Sequence, residues 1–370
     1  KERILLLEHT LWHPVAAHDQ LGTEPLAVTL LGQRVVLWRD AQGLPHAWAD
    51  HCPHRGAQLS LGSVVAGCDA AGHPTRRLAC PYHGWEFSPG GRCVHVPAQP
   101  DWTPPASHAV QTHEVQAAHG LLWVRLAPPA DSAALPDPLY QPPAFAPTTD
   151  PAWRTVLCGP YAVATSAPRL VENFLDMSHF GFVHRGWLGD ADHAQVDVGQ
   201  VQETPHGVVA SQCRAWQPRA YASATGGQMV DYRYEVVAPY TALLHKDATH
   251  PGGTRNAIAL FIQPVQAESC VAWFAMSTQN DDTDDDELRR FQDAVFAQDQ
   301  PVVESQRPRC LPLGRAARPD YQLAAQVQPP LPAGLSTDWP LPPEVHGPAD
   351  RLSAAYRRYL ARLGVTFGTC

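Results

Sequence analysis

Cysteine and histidine recur in two short segments in the first quarter of the chain. The first segment reads Cys52-Pro53-His54-Arg55-Gly56-Ala57, and the second reads Cys80-Pro81-Tyr82-His83-Gly84-Trp85. Each segment supplies one thiolate and one imidazole. Together, the two segments therefore offer four soft or borderline ligands for a metal centre. A structural zinc accepts this Cys2His2 set in a tetrahedral shell.

An iron–sulfur cluster is the second interpretation of the same four residues. In a Rieske [2Fe–2S] cluster, Cys52 and Cys80 would bind one iron, while His54 and His83 would bind the other. The local sequence favours this cluster, because a glycine in each segment lets backbone amides approach the sulfur atoms. Each segment also adjoins β-like sequence rather than the helix of a zinc finger.

A second group of metal-ligating residue types follows at Asn173, Asp176, His179 and His184. The two histidines are five residues apart, so an ideal α-helix would point them about 140° away from each other. They can face one metal only if a helix ends or distorts between them, and Gly181 provides a place for that. Two core histidines are the alternative. Adding one carboxylate would complete a 2-His-1-carboxylate iron(II) site.

Both constellations resemble those of the Rieske non-haem iron oxygenases. The pattern Asn-x-x-Asp-x-x-His-x4-His resembles the catalytic iron motif of that family, and it would place Asn173, Asp176 and His179 on one helical face. The resemblance implies that His179 and His184 bind iron(II) and that Asn173 lies close to it. It also implies that Asp176 bridges to a Rieske histidine of a neighbouring subunit.

The third iron ligand is predicted on a helix further along the chain. Residues 291–306 resemble the C-terminal ligand helix of the family, with Asp299 in the ligand position and with Asp293 and Glu304 as rivals. If Asp299 faces the iron, residues one or two turns earlier share its face of the helix. These residues are predicted to line the substrate pocket: Gln292, Val295 and Phe296.

The elements that must position these residues predict an α+β protein. Short β-like runs punctuated by turn residues predict a small β-sandwich over residues 1–127. A Pro-rich linker is predicted over residues 128–151 and a catalytic domain over residues 152–370. Helices are predicted at Leu170–His179, Asp284–Gln306 and Arg351–Leu363, the last of which would dock on the body of the protein. The resemblance implies an N-terminal Rieske domain and a C-terminal helix-grip domain, which is an antiparallel sheet with helices.

The first constellation departs from the family in one respect. The interval between His54 and Cys80 is longer than usual, and the excess lies in the Gly-rich stretch within residues 67–77. We interpret this stretch as a loop insertion that leaves the cluster intact. The disulfide beside the cluster of respiratory Rieske proteins is absent, since Tyr82 and Gly56 lie at the corresponding loop positions.

The composition of the chain argues against some classes of binding partner and indicates a cellular compartment. The net charge of −9 argues against nucleic acid and against an anionic membrane surface. No apolar run approaches the length of a membrane span. Nine cysteines in a long chain do not form a secreted disulfide framework, so those outside the cluster are expected to be reduced and the protein cytoplasmic. The start of the chain lacks a secretory signal and reads as the middle of a longer N-terminus.

These observations predict an oxygenase component that monooxygenates a small aromatic or heterocyclic substrate. The resemblance is nearest to the methylxanthine N-demethylases and related O-demethylases, which implies oxidative demethylation with loss of formaldehyde. Ring hydroxylation or cis-dihydroxylation by the same metals stays open. The sequence has no dinucleotide-binding fingerprint, so NAD(P)H would act through a separate reductase, with or without a ferredoxin. The resemblance also implies a homotrimer. Two other classes stay open, namely a Rieske electron-transfer protein and a zinc-stabilised binding module.

Overall fold

The computed structural model describes residues 6–68, 71–128, 137–218, 226–247, 254–314 and 344–370. The chain divides into two compact units. The N-terminal unit contains residues 9–135 and 140–142, and the C-terminal unit contains residues 143–370 together with 6–8 and 136–139. Among the helices of the described residues, none combines the length and the hydropathy that a membrane span requires.

Ten strands form the N-terminal unit within the described residues. In chain order they are β1 His13–Ala17, β2 Leu26–Leu30, β3 Gln33–Arg39, β4 Pro45–Ala49, β5 Ser63–Cys68, β6 Pro74–Ala79, β7 Glu86–Phe87, β8 Cys93–His95, β9 Thr112–Ala118 and β10 Leu121–Arg125. They build a six-stranded sheet in the order β1-β10-β9-β4-β3-β2 and a four-stranded sheet in the order β5-β6-β7-β8. Trp38 and Trp48 of the first sheet share one hydrophobic core with Leu78 and Phe87 of the second. The predicted β-sandwich is confirmed.

The insertion predicted within residues 67–77 forms the far end of a hairpin. Strands β5 and β6 pair antiparallel from Ser63 opposite Ala79 to Cys68 opposite Pro74. Residues 67, 68 and 74–77 of this stretch therefore lie in two paired strands. Residues 69 and 70 lie outside the described part of the chain.

Within the described residues, the C-terminal unit combines one antiparallel sheet with three α-helices. In chain order its elements are β11 Arg154–Val163, α1 Ala167–Leu175, β12 Val196–Asp197, β13 Gln200–Thr204, β14 Gly207–Gln217, β15 Gln228–Ala238, β16 Thr241–Asp247, β17 Arg255–Gln266, β18 Ser269–Gln279, α2 Asp285–Ser305 and α3 Arg351–Leu363. The sheet has the order β11-β18-β17-β16-β15-β14-β12, and β13 also pairs with β14. This arrangement matches the predicted α+β helix-grip domain.

Alternation along the central strands gives the sheet its buried face. On β15, Val230, Tyr232, Tyr234 and Val236 are buried, whereas the residues between them are exposed or half-buried. Helix α3 covers part of this core with Leu352, Tyr356 and Leu360, as its apolar spacing predicted.

Helix α2 begins and ends within one residue of its predicted bounds. The Asp284 side chain caps it by accepting a hydrogen bond of 2.8 Å from the backbone N–H of Glu287. The acidic run before the helix therefore lies at its N-terminus, where negative charge is favourable.

The C-terminus carries a disulfide between Cys310 and Cys370. The prediction that both cysteines are reduced was wrong. The last residues return beside the segment that follows α2, where the N–H of Leu311 donates to Gly368 O at 2.9 Å and the N–H of Cys370 donates to Leu311 O at 2.9 Å. This pairing brings the two Cα atoms to 5.7 Å, although they are 60 residues apart in sequence. The sequence alone gives no sign of this pairing.

The predicted linker is only partly described, since residues 129–136 lie outside the described ranges. Its second half packs into the C-terminal unit, where Phe145 and Pro147 are buried and Phe145 meets Phe261 edge to face. The domain boundaries at residues 127 and 152 stay predictions.

Candidate metal centres and substrate cavity

Two loops of matching geometry present the four predicted cluster ligands. In the first loop, the N–H of Cys52 donates to Ala57 O at 2.8 Å and the N–H of Gly56 donates to Cys52 O at 2.9 Å. In the second, the N–H of Cys80 donates to Trp85 O at 2.8 Å and the N–H of Gly84 donates to Cys80 O at 3.1 Å. Each loop is thus a turn closed by backbone hydrogen bonds, which fix the position of its cysteine relative to its histidine.

The glycines in these loops adopt a backbone conformation that other residues rarely take. Gly56 has φ +75° and Gly84 has φ +68°. A Cβ atom on Gly84 would also lie 3.0 Å from the Pro97 ring, and one on Gly56 would lie 2.9 Å from the His51 ring. Both positions therefore require glycine for conformation and for space.

The two loops bring their imidazoles close together and bury their thiols. The imidazole rings of His54 and His83 lie 4.6 Å apart between centroids, and both cysteines are buried. Burial, followed by the neighbouring Cys80 thiol, raises the pKa of the Cys52 thiol to about 12. Since only a thiolate binds metal, this thiol loses its proton when a metal takes its place. The donor set fits a Rieske cluster.

Helix α1 ends earlier than the sequence predicted. It stops at Leu175, and Asp176 lies in extended backbone at the C-cap. Asp176 Oδ1 accepts a 2.7 Å hydrogen bond from the N–H of Ser178, which forms a turn that competes with the helix. The prediction that Asn173, Asp176 and His179 share one helical face was therefore wrong.

Turns after α1 carry both histidines to one point. The N–H groups of Phe182 and Val183 donate to His179 O, and those of Trp187 and Leu188 donate to His184 O. Gly181 is needed here for space, because a Cβ would lie 2.9 Å from the carbonyl oxygen of Asp190. The helix ends before His179 rather than at Gly181.

Asp299 faces the two histidines from α2. Its Oδ1 lies 3.2 Å from His184 Nε2 and 3.5 Å from His179 Nε2. One ligand atom from each of these three residues falls within 4.8 Å of the others, and no other group of this kind lies in the described chain. Two imidazoles and one carboxylate form the donor set of non-haem iron(II) sites. The rivals are engaged elsewhere, since Asp293 accepts from the Tyr161 hydroxyl and Glu304 from the Ala164 N–H.

Hydrogen bonds on the far side of each imidazole fix its orientation. His179 Nδ1 lies 3.2 Å from Asp176 Oδ2, and His184 Nδ1 lies 2.9 Å from Gln298 Oε1. Partners of this kind keep the Nε2 atoms free to bind metal. Burial would lower the pKa of His184, but the carboxylate of Asp299 raises it overall. For Asp176, burial raises the pKa and the hydrogen bond to His179 outweighs it, so the pKa is lowered.

Asn173 also contacts the carboxylate. Its amide donates to Asp299 Oδ1 at 3.3 Å. That Asn173 lies close to a bound iron stays a prediction. Gln298 was missed by the sequence reasoning. The available signal was its place beside Asp299 on the helix that carries the ligand.

A cavity opens on the three ligands, with an empty volume of about 560 Å³ including space open to solvent. Nine of its fifteen lining residues are aliphatic or phenylalanine, and none is lysine or arginine. Gln292 and Val295 line this cavity, whereas Phe296 is buried against Tyr161 and Phe274 and does not line it. The assignment of these residues to a substrate pocket stays a prediction. The amide of Gln292 makes no hydrogen bond to the described residues, although the residue is only 6% exposed.

Comparison with known proteins decides the family. Residues 11–114 match the Rieske [2Fe-2S] domain, and residues 163–366 match the vanillate O-demethylase oxygenase C-terminal domain. The chain belongs to the Rieske non-haem iron oxygenases. It is 32% identical to the methylxanthine N3-demethylase NdmB of Pseudomonas putida, over 80% of this chain and 81% of the relative. It is also 32% identical to the oxygenase component of dicamba O-demethylase from Stenotrophomonas maltophilia, over 80% and 86%.

Solved structures agree with these relatives. The structure of Pseudomonas putida CBB5 NdmA with caffeine matches at a TM-score of 0.71 and 28% identity, covering 96% of this chain and 90% of that one. Dicamba monooxygenase bound to dicamba matches at 0.71 and 25%, covering 97% and 98%. This Rieske oxygenase is thus a monooxygenase that carries a [2Fe–2S] cluster and a mononuclear iron and takes its electrons from a separate reductase.

Proposed function

We propose that this oxygenase removes a methyl group from a neutral N-methylated heterocycle. The supporting observation is the character of the cavity beside His179, His184 and Asp299. It is mostly apolar, it has no lysine or arginine among its lining residues, and it offers the amide of Gln292 as an uncharged polar group. A benzoate-type substrate would bring a carboxylate with no cationic partner on these walls, which is costly to bury.

The proposed residue roles follow from the contacts in the C-terminal unit. His179, His184 and Asp299 would hold an iron, which when bound activates O2 for insertion into a C–H bond. Asp176 and Gln298 would keep the two imidazoles oriented through their Nδ1 atoms. Asn173 would steady the Asp299 carboxylate. Gln292 would donate to, or accept from, the polar edge of the heterocycle.

The remaining apolar walls would exclude water and hold the methyl group at the iron. Val295 lies one turn from Asp299 on α2, so it is placed to contact the ring beside the reacting methyl group. We keep Phe296 as a residue that shapes this wall from behind, through its contacts with Tyr161 and Phe274. Insertion of one oxygen atom converts the methyl group to hydroxymethyl, which leaves as formaldehyde, while the second oxygen atom takes two electrons and two protons to become water.

The relatives supply the first substrates to test. Purified enzyme reduced by dithionite would be mixed with oxygen and caffeine, theobromine, dicamba or vanillate. We expect about one formaldehyde per methyl group lost with an N-methylated heterocycle, and less than a tenth of that rate with the two carboxylates. Gln292→Leu should weaken binding of the heterocycle about tenfold, since one hydrogen bond in a buried pocket is lost.

Other outcomes would change the assignment. A hydroxylated ring without formaldehyde would favour ring hydroxylation, and a diol would favour cis-dihydroxylation. Formaldehyde from dicamba or vanillate at a rate equal to that from caffeine would make the enzyme an O-demethylase. Loss of the mononuclear iron with function intact would leave a Rieske electron-transfer protein.

We also propose a homotrimer, in which the electron would pass from the cluster of one subunit to the iron of the next by way of His83 and Asp176. Sedimentation velocity would give the mass, and Asp176→Asn should slow iron reduction while cluster reduction by dithionite is unchanged. We propose a cytoplasmic location as well, because seven of the nine cysteines form no disulfide. Cell fractionation would test the location.

A further inference from the structure

The Cys310–Cys370 disulfide lies where three segments of the C-terminal unit meet. These segments are the chain that leaves α2, the start of α1 and the last residues of the sequence. The N–H of Ser166, the residue that caps α1, donates to Arg309 O at 3.2 Å. The backbone of Gly368 lies against the same cap, since a Cβ there would be 3.1 Å from Ser166 Cβ. The disulfide therefore joins the last residues to the junction between α2 and α1.

Each helix at this junction leads to proposed iron ligands. Helix α1 is followed by the turns that carry His179 and His184, and α2 carries Asp299. The buried guanidinium of Arg169 on α1 donates to Pro308 O at 3.0 Å, which connects α1 to the segment after α2 a second time. The segment that holds the disulfide is therefore in direct contact with the elements that position both sides of the iron site.

The disulfide is accessible from solution. Cys310 and Cys370 are both half-buried, whereas six of the other seven cysteines are buried. Neither of the two lines the cavity, so the pair lies outside substrate chemistry. In the cytoplasmic location proposed above, a disulfide is usually transient and either catalytic or redox-sensing. A cysteine pair outside the cavity fits the second of these roles.

Reduction would leave the last residues held by weaker contacts. The N–H groups of Leu311, Leu313 and Cys370 make three backbone hydrogen bonds across this pairing, at 2.8 to 2.9 Å. These bonds would remain when the disulfide is broken. A short pairing of this kind opens locally more often than one closed by a covalent bond, because its open state is no longer restricted by the cross-link.

We infer that Cys310 and Cys370 form a reversible redox site, which a protein dithiol reduces and which loosens the iron site when the bond is broken. A thiolate of the dithiol attacks one sulfur to give a mixed disulfide, and the second thiol of the dithiol then releases that sulfur. Two electrons and two protons pass from the dithiol to the two cysteines, and the dithiol becomes a disulfide. An oxidised dithiol of the same class restores the bond by the reverse steps. The effect on iron rests on the proposed function, through its iron ligands, whereas reduction of the bond does not.

The first measurement follows reduction of the bond in the folded, iron-loaded holoenzyme. The probe is a thioredoxin kept reduced by NADPH and its reductase, and differential alkylation with mass spectrometry counts the thiols at Cys310 and Cys370. We expect both thiols to appear within minutes, with the iron and sulfide content of the cluster unchanged. A bond that persists until urea unfolds the protein would overturn the inference, because the disulfide would then be purely structural.

The second measurement is the affinity of the mononuclear site for iron(II), from anaerobic titration of protein that keeps its cluster but lacks this iron. Reduction of the disulfide should raise the dissociation constant about tenfold, within the usual range for coupling between two sites. Linkage requires the reciprocal effect. Saturating iron(II) should therefore raise the ratio of reduced to oxidised thioredoxin at half-reduction by the same factor, about tenfold.

Variants separate the redox effect from damage. Cys310→Ser and Cys370→Ser should each bind iron(II) as the reduced wild type does, and neither should respond to thioredoxin. Cys68→Ser removes the exposed thiol and should respond as wild type does. Amide hydrogen exchange at Leu311 and Leu313 should be faster in the reduced protein and in both disulfide variants, because their N–H groups donate across the pairing. Unchanged exchange at these amides after reduction would contradict the inference.

Failure of the inference and failure of the proposed function give different results. An iron affinity that is the same in both redox states would reject the inference alone. Absence of formaldehyde from N-methylated heterocycles, with an iron affinity that still depends on the redox state, would reject the proposed function alone.

Discussion

The two metal centres of this oxygenase are built in different ways. The cluster ligands lie in two closed turns, each of which brings its cysteine and its histidine together within four residues through its own backbone hydrogen bonds. The iron ligands come from turns after α1 and from α2, and His184 and Asp299 are 115 positions apart in the sequence. The first centre is therefore set by local geometry, and the second by how a helix packs on a sheet.

The difference has a consequence for sensitivity. A change in one cluster loop should act on that loop, whereas a change anywhere that shifts α2 should act on both the iron ligands and the cavity wall. Asp299, Gln298, Val295 and Gln292 all lie on that one helix.

Asp299→Ala should have the largest effect. Loss of the carboxylate removes one of three iron ligands, so turnover should fall by about three orders of magnitude or more. Iron analysis should fall from about three to about two atoms per chain, while the visible spectrum of the cluster stays the same. Asp293→Ala is the control. Asp293 lies on the same helix but accepts a hydrogen bond from the Tyr161 hydroxyl, so this variant should keep its third iron. A bleached cluster in Asp299→Ala would break the separation between the two centres.

Cys370→Ser should lower the free energy of unfolding of the C-terminal unit by about 3 kcal/mol, because the disulfide closes a long loop. Calorimetry of the oxidised protein should show this unit unfolding at lower temperature, with the N-terminal unit unchanged. Cys68→Ser removes an exposed free thiol and should shift neither transition. Equal shifts in the unfolding temperatures of both units would show that the disulfide does not stabilise the C-terminal unit alone.

Gln298→Leu should weaken iron binding by about 10- to 100-fold, since His184 loses the partner of its Nδ1 atom. Titration of iron-free protein with iron(II) would measure the dissociation constant. Gln300→Leu is the control, because that amide donates to Ala162 O and Glu304 instead of an iron ligand. Equal affinities in the two variants would show that the far side of the imidazole needs no partner.

Gly84→Ala should have the smallest effect, a loss of about 1–2 kcal/mol in the unfolding of the N-terminal unit. Gly72→Ala separates two causes, since Gly72 also has a positive φ, +84°, but has open space around its Cβ position. The excess loss at Gly84 then measures contact with Pro97. The affinity of the mononuclear site for iron(II) should be the same in both variants. A changed affinity would show that the cluster loops affect the iron site in the other unit.

The same contrast explains what could be predicted from the sequence. The cluster ligands are recognisable because each of the two loops consists of six consecutive residues that include one cysteine and one histidine. These ligands are Cys52, His54, Cys80 and His83. Asp299 was found through the segment around it, which resembles a known ligand helix, and α2 follows from its acidic N-terminus and its apolar spacing. The strands of both units follow from alternation and turn residues.

The parts that could not be predicted depend on competition and on distant contacts. Helix α1 stops at Leu175 because the side chain of Asp176 accepts a hydrogen bond from the backbone N–H of Ser178. Helical periodicity in the sequence does not show whether this turn or a longer helix is the more stable. Phe296 shares a helical face with the cavity residues, yet the rings of Tyr161 and Phe274 enclose it. The Cys310–Cys370 disulfide depends on the end of the chain pairing with the segment at Leu311, a contact between residues that are distant in sequence.

The first described residues belong to the C-terminal, catalytic unit, which the chain enters three times. Residues 6–8 belong to the C-terminal unit, and Glu8 is fully buried there, where its Oε1 accepts from the N–H groups of Thr366 and Phe367 at 2.5 and 2.6 Å. The main segment of the Rieske unit, residues 9–135, therefore lies in sequence between Glu8 and the rest of the catalytic unit. A fragment cut at residue 143 would leave these two amides without their carboxylate, so isolating the catalytic half calls for circular permutation instead of truncation.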